Sequence, residues 1–280
     1  MNKMKELTLG YSPCPNDTFI FYALVHAKIG TGGLRFRERL EDVETLNLLA
    51  RRAALDITKI SFHAFGYLRD TYCLLRSGAA LGKGCGPLIV SKKYNQLQDL
   101  KDRKIAIPGR LTTAFLLLQL LDPSLKDRVI EMPFHRIVDA VRKDEVDAGL
   151  IIHESRFTYQ EAGLRLVLDL GEWWERTTGL PVPLGGIIAK RELGDLLIKK
   201  IESGIRKSLD YAFAHKAEPK AYIKEHSQEV EDRVIEQHIG LYVNDYSLDI
   251  GDDGLRAVEG LFRMSEEKGI IEKSSMPLCV

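Results

Sequence analysis

Alternation is the feature that most restricts the fold of this chain: short apolar runs of strand length repeatedly give way to stretches with helical periodicity. LTLGY, LRFRERL, LDITKI, CLLRSG, PLIVSKK, KIAIPG, VIEMPF and AGLII read as strands. Between them, FIFYALVHAKI, EDVETLNLLARRAA, SFHAFGYLRDTY, LTTAFLLLQLL and HRIVDAVRKDEVDA read as helices, the last with Ile137, Val138 and Val141 on one face. This is the pattern of βαβ units and predicts a mostly parallel sheet. The segment TTGLPVPLGGIIAKREL breaks the alternation as a turn-rich return, and the chain beyond it is almost entirely helical. One α/β set, a second from about residue 100 and a return segment predict two lobes, the second inserted into the first. The expected boundaries are 1–88 with 185–280 for the larger lobe and 89–184 for the smaller. The crossings fall near Gly86–Val90 and Pro181–Gly186, where Gly and Pro concentrate. Two crossings between α/β lobes make a hinge with a ligand cleft.

The 280 residues suffice for real cores in both lobes. Lysine plus arginine equals aspartate plus glutamate at 40 each, so no global field favours nucleic acid or an anionic membrane as partner. The apolar run AFLLLQLL is far too short to span a bilayer, and MNKMKELTLGYSPCPND lacks an apolar core of signal-peptide length. Cys14, Cys73, Cys85 and Cys279 form no CxxC pair, so neither disulfides nor a metal site is expected. A cytoplasmic protein with reduced thiols follows as the expectation.

In open parallel sheets ligands bind beyond the carboxyl ends of the strands. After LTLGY comes Ser12, then Asn16, Asp17 and Thr18; LDITKI ends with Lys59 and Ile60 and is followed by Ser61. After KIAI come Pro108, Gly109 and Arg110, then Thr112 and Thr113 opening a helix, and after AGLII comes His153. Four strands thus deliver polar groups to one rim. Each also has a plainer reading. Asn16 or Asp17 serves as a helix N-cap, Cys14 as a small apolar filler, and Lys59 and Ser61 as a solvated strand end. Gly109 to Thr113 resembles an anion site, with helix N–H groups and two hydroxyls, yet threonine capping alone also accounts for it. It lacks the Walker lysine and GxGxxG spacing, so nucleotide binding is not indicated.

Among the seven histidines none pairs at HExxH spacing, which again argues against a metal. His26 reads as a core residue, His63 as a weaker rim candidate, and His135, His215, His226 and His238 as helix starts or surface positions. His153 differs because it follows a buried strand at the predicted cleft, and an ordinary pKa of about 6.5 suits proton transfer; a structural histidine is the alternative. Glu154 points away from it if the strand continues. There is no GxSxG elbow, so serine hydrolase chemistry is not indicated.

Taken together, SPCPNDTF, KIS, PGRLTTAFLL, DAGLIIHESRFTY, LPVPLGGIIAKR and YVNDYSLDIGDDG resemble the 1,4-dihydroxy-6-naphthoate synthases of the futalosine route to menaquinone. The likeness runs in order over nearly the whole chain. It implies a two-lobed α/β fold like a type 2 periplasmic binding protein with a central cleft. It further implies a cofactor-free lyase that converts cyclic dehypoxanthinyl futalosine to 1,4-dihydroxy-6-naphthoate and dihydroxyacetone. On the family's pattern His153 is the proton acceptor, Lys59, Ile60, Ser61, Thr112 and Thr113 bind the carboxylate substrate, and Asn16 with Ser12 lines the cleft. The alternatives are a cytoplasmic binding protein for a small carboxylate, or a chorismate dehydratase on the same fold.

Overall fold

The computed structural model describes residues 5–228 and 231–280. Its strands, in chain order, are β1 (Lys5–Tyr11), β2 (Leu34–Leu40), β3 (Ile57–Ser61), β4 (Tyr72–Leu74), β5 (Ala80–Gly82), β6 (Leu88–Ser91), β7 (Ile105–Ile107), β8 (Val129–Glu131), β9 (Ala148–Ile151), β10 (Arg165–Asp169) and β11 (Val182–Lys190). They form two sheets flanked by helices. One has the order β2-β1-β3-β11-β4, with β5 also on β11; the other has the order β10-β6-β9-β7-β8.

The sheets are mixed rather than mostly parallel. β1 runs parallel to β2 and β3, and β7 to β8 and β9. β11 is antiparallel to β3, β4 and β5, and β6 is antiparallel to β9 and β10. The crossing strands cause the departure. Each enters its sheet from the other lobe, not through a helical crossover, and so is free to run against its neighbours.

β11 is also the main correction to the element reading, since the segment expected to be turn-rich is a nine-residue strand inside the larger sheet. Its glycines are there for contact. A Cβ on Gly185 would stand 2.5 Å from the Ile60 carbonyl oxygen, and one on Gly186 would stand 2.5 Å from Leu74 Cδ1. Pro183 sits where the β11–β5 register shifts, a place where the missing N–H costs little. β5, β10 and the helix Leu170–Thr178 are further elements absent from the sequence reading.

Helix starts follow local chemistry. Asp42 caps Val43–Arg51, accepting from the N–H of Glu44 at 3.0 Å and of Thr45 at 3.1 Å. Asp169 caps Leu170–Thr178, which ends on left-handed Gly179 at φ 73°. The chain passes between sheets twice, and there Gly86 lies against Gly171 so closely that a Cβ on Gly86 would fall 2.2 Å from the Gly171 Cα. One apolar cluster runs through both sheets, from Ile60 and Leu74 to Ile105 and Leu150, with buried Trp174 donating to the Pro181 carbonyl at 3.0 Å. Among the described residues no helix is long and apolar enough to cross a membrane.

Candidate active site

Ser12, Asn16, Lys59, Ile60, Ser61, Thr112, Thr113 and His153 all line one cavity, walled by β3 of the larger sheet and by the segments following β7 and β9 of the smaller. Asp17, Leu46 and Tyr242 complete much of the wall.

The SPCPNDTF segment works differently from a capping motif. The N-cap of helix Pro15–Val25 is Cys14, whose side chain makes no capping bond, while Pro15 presets the first turn. Asn16 and Asp17 lie inside that turn and build a buried polar network. Asp17 accepts from the Ser12 N–H at 3.1 Å and the Ser12 hydroxyl at 2.7 Å. Its other oxygen accepts from Asn16 Nδ2 at 2.8 Å and stands 3.3 Å from Lys59 Nζ. Lys59 in turn donates to the Gly78 carbonyl at 2.6 Å. Lys59 and Ser61 are therefore buried, not a solvated strand end. An ion pair this deep holds because further hydrogen bonds occupy both partners.

A second network fixes the opposite wall. Asn47 accepts from the Ser61 N–H at 3.0 Å and donates to the Ser61 hydroxyl at 3.3 Å and to Glu44 at 3.1 Å. The Glu44 carboxylate accepts from the Leu111 N–H at 3.0 Å. Burial pushes the Glu44 carboxyl up, opposed by these hydrogen bonds. Gly109 admits this contact, since a Cβ there would lie 2.4 Å from Glu44 Cδ. Thr112 donates to the Gly109 carbonyl at 2.7 Å and accepts from the Phe115 N–H, and Thr113 donates to the Leu184 carbonyl at 2.5 Å. Both hydroxyl protons are thus held by the protein. The N–H groups of Thr113 and Ala114 at this helix start have no intrahelical acceptor.

β9 ends at Ile151, and His153 takes a left-handed conformation at φ 56°. That turn ends the strand alternation and brings Glu154 back. Cys14, His153 and Glu154 each present one ligand-type atom, all within 4.8 Å of one another. The expectation that Glu154 points away fails for this reason, and a group of metal-ligand type exists where spacing gave no hint of one. Burial, followed by the charge of Glu154, holds the Cys14 thiol well above its ordinary range. The His153 ring packs 4.9 Å from Phe134 and lies parallel to His238, centroids 6.1 Å apart. Burial pushes His153 down to about 4; Asp17 opposes the shift and Lys59 adds to it. The imidazole is therefore neutral near pH 7 and able to accept a proton.

His238 is the largest omission of the sequence reading. It is fully buried, not a surface residue, and its Nε2 lies 2.9 Å from Asn16 Oδ1. The signal was present, because Val234, Ile235 and Tyr242 share its helical face and are all buried. Asn47 and Glu44 gave no such signal, being ordinary polar positions on an amphipathic helix. His63 does not reach the cavity; its Nδ1 faces the Thr112 carbonyl at 3.3 Å from behind, and burial pushes it down to about 4. His26 is exposed at the end of its helix, not a core residue. His135 and His215 are exposed as expected.

Residues 7–267 match the family model described as menaquinone biosynthesis. A Thermus thermophilus protein named 1,4-dihydroxy-6-naphthoate synthase is 49% identical over 99% of this chain and 100% of its own length. A Streptomyces coelicolor protein of the same name is 42% identical over 95% of this chain and 94% of its own. A crystal structure of an Archaeoglobus fulgidus protein superposes with a TM-score of 0.88 at 37% identity, covering 95% of this chain and 98% of that one. The Escherichia coli periplasmic aliphatic sulphonate binding protein gives 0.66 at 13% identity, covering 96% and 89%, a likeness of fold alone.

Proposed function

Because the chain belongs to the menaquinone-biosynthesis family of 1,4-dihydroxy-6-naphthoate synthases, we propose that it is a carbon–carbon lyase acting on cyclic dehypoxanthinyl futalosine, with His153 as general base. The products are 1,4-dihydroxy-6-naphthoate and dihydroxyacetone. The observation that carries the reading is a neutral imidazole on the wall of a cavity that also holds a helix N-terminus.

The substrate carboxylate sits at the Thr113 and Ala114 N–H groups, where the helix dipole favours negative charge. Ser12 and Ser61 line the same cavity and meet the sugar-derived hydroxyls. The Asp17–Lys59 pair keeps Ser12 and Asn16 in place. His153 removes a proton from the carbocycle, and the released electron pair drives carbon–carbon cleavage. Aromatisation of the remaining rings makes the step downhill. Lobes 1–88 with 185–280 and 89–184 close around the substrate and keep water from the reacting atoms. As a biosynthetic enzyme it acts in the cytoplasm.

The alternatives are a protein that only binds a small carboxylate, and a chorismate dehydratase. Purified protein is offered the cyclic futalosine and chorismate in separate reactions, and products are followed by mass spectrometry. Naphthoate with dihydroxyacetone from the first alone is expected. Dehydration of chorismate, or binding of the futalosine without turnover, would sink the proposal.

A further inference from the structure

The side chains of Cys14, His153 and Glu154 come from two distant parts of the sequence, yet their donor atoms all lie within 4.8 Å of one another. Around a tetrahedral zinc ion, bond lengths of about 2.0–2.3 Å place ligand atoms roughly 3.3–3.6 Å apart. No separation therefore has more than about 1–1.5 Å to close, within the reach of side-chain rotation. From this juxtaposition we propose that Cys14, His153 and Glu154 form a binding site for a borderline-soft divalent cation of the zinc class, and that the metal inhibits the enzyme by occupying the base.

Three features support the site. Thiolate, imidazole and carboxylate are the ligand types zinc prefers, and the mixture of soft and hard donors discriminates against magnesium and calcium. Two anionic ligands neutralise the dication, so the occupied site carries no net charge in a wall where Cys14 is 3% and Glu154 5% exposed. The backbone is also held in place. The Cys14 carbonyl accepts from the Thr18 hydroxyl at 2.9 Å, and the Cys14 N–H donates to the Ser12 hydroxyl at 3.4 Å. His153 is the ligand that lines the cavity, so a fourth position opens toward the cleft. On coordination Cys14 loses its proton to solvent and sulfur donates its lone pair to the metal, with no change of oxidation state.

The inference shares His153 with the proposed base, but its test does not depend on turnover. Cobalt(II) is titrated into the whole protein and followed by absorbance. One equivalent producing a near-ultraviolet thiolate-to-cobalt band with tetrahedral d–d intensity is expected, displaced by zinc. Cys14→Ala removes the band, and His153→Asn weakens binding by about tenfold or more, at least the loss typical of an outer-shell partner. Circular dichroism of each variant shows that it is folded. In the assay, zinc lowers wild-type turnover reversibly with EDTA, and the ratio of rates with and without zinc moves toward one in Cys14→Ala. Absence of the band, a band that survives Cys14→Ala, or cobalt bound without sulfur overturns the site. An intact band without loss of turnover overturns the inhibition, and a band in a protein with no turnover at all separates this site from the proposed reaction.

Discussion

His153 and His63 are pushed down to about 4 by burial, and burial, followed by His153, holds His238 well below its ordinary value. The ordinary imidazole value is 6.5, so between there and about 4 the unfolded chain binds protons that the folded chain refuses. Stability therefore rises with pH through this window and is lost as pH falls from 6.5 toward 4. Thermal melts at intervals between about pH 5 and about pH 7 are expected to show a rising Tm, and a flat profile contradicts it. The same shift bears on the proposed role of His153. A base that stays neutral well below 6.5 gives kcat/KM no acid limb near that value, so a limb centred there means another group is the base.

At the scale of elements, the helix Val43–Arg51 joins the Ser61 end of β3 to the Gly109–Thr113 loop through Asn47 and Glu44. Asn47→Ala leaves the buried Ser61 N–H without its acceptor and takes one of two donors from a Glu44 oxygen, at a cost of about 1–3 kcal/mol. Urea unfolding is expected to show that loss together with a raised KM, because the loop carries the proposed carboxylate site. Unchanged stability and KM would remove this helix from the account. Strand ends were the most readable part of the molecule: the residues at and shortly after them, Ser12, Asn16, Lys59, Ser61, Thr112, Thr113 and His153, all line one cavity, as does Ile60, which the family resemblance added. Side-chain direction after the strand was not readable. The left-handed turn at His153 reverses Glu154, and the Gly109 and Leu184 carbonyls take the hydroxyl protons of Thr112 and Thr113. β11 was hidden for a related reason. Gly185 and Gly186 are punctuation in a sequence, whereas in the sheet they permit contact with β3 and β4.

At the scale of the whole molecule, two mixed sheets meet where Gly86 and Gly171 touch, and Arg156 fastens the place by donating to the Gly86 carbonyl and to Asp169 at 2.7 Å. Both partners at that contact are backbone, so neither yields to a methyl group. Gly86→Ala is expected to cost about 1–3 kcal/mol, read as a lower denaturation midpoint at constant m-value. A midpoint within error of wild type would mean that the crossings bear little on the packing of the two sheets. His153 is the residue on which the proposed chemistry turns. Wild type and His153→Asn, both folded and both binding substrate, are compared for naphthoate release from cyclic dehypoxanthinyl futalosine. A loss of about 10²–10⁴-fold in kcat with little change in substrate affinity is the expected result. Near-normal turnover by the variant would contradict the assignment.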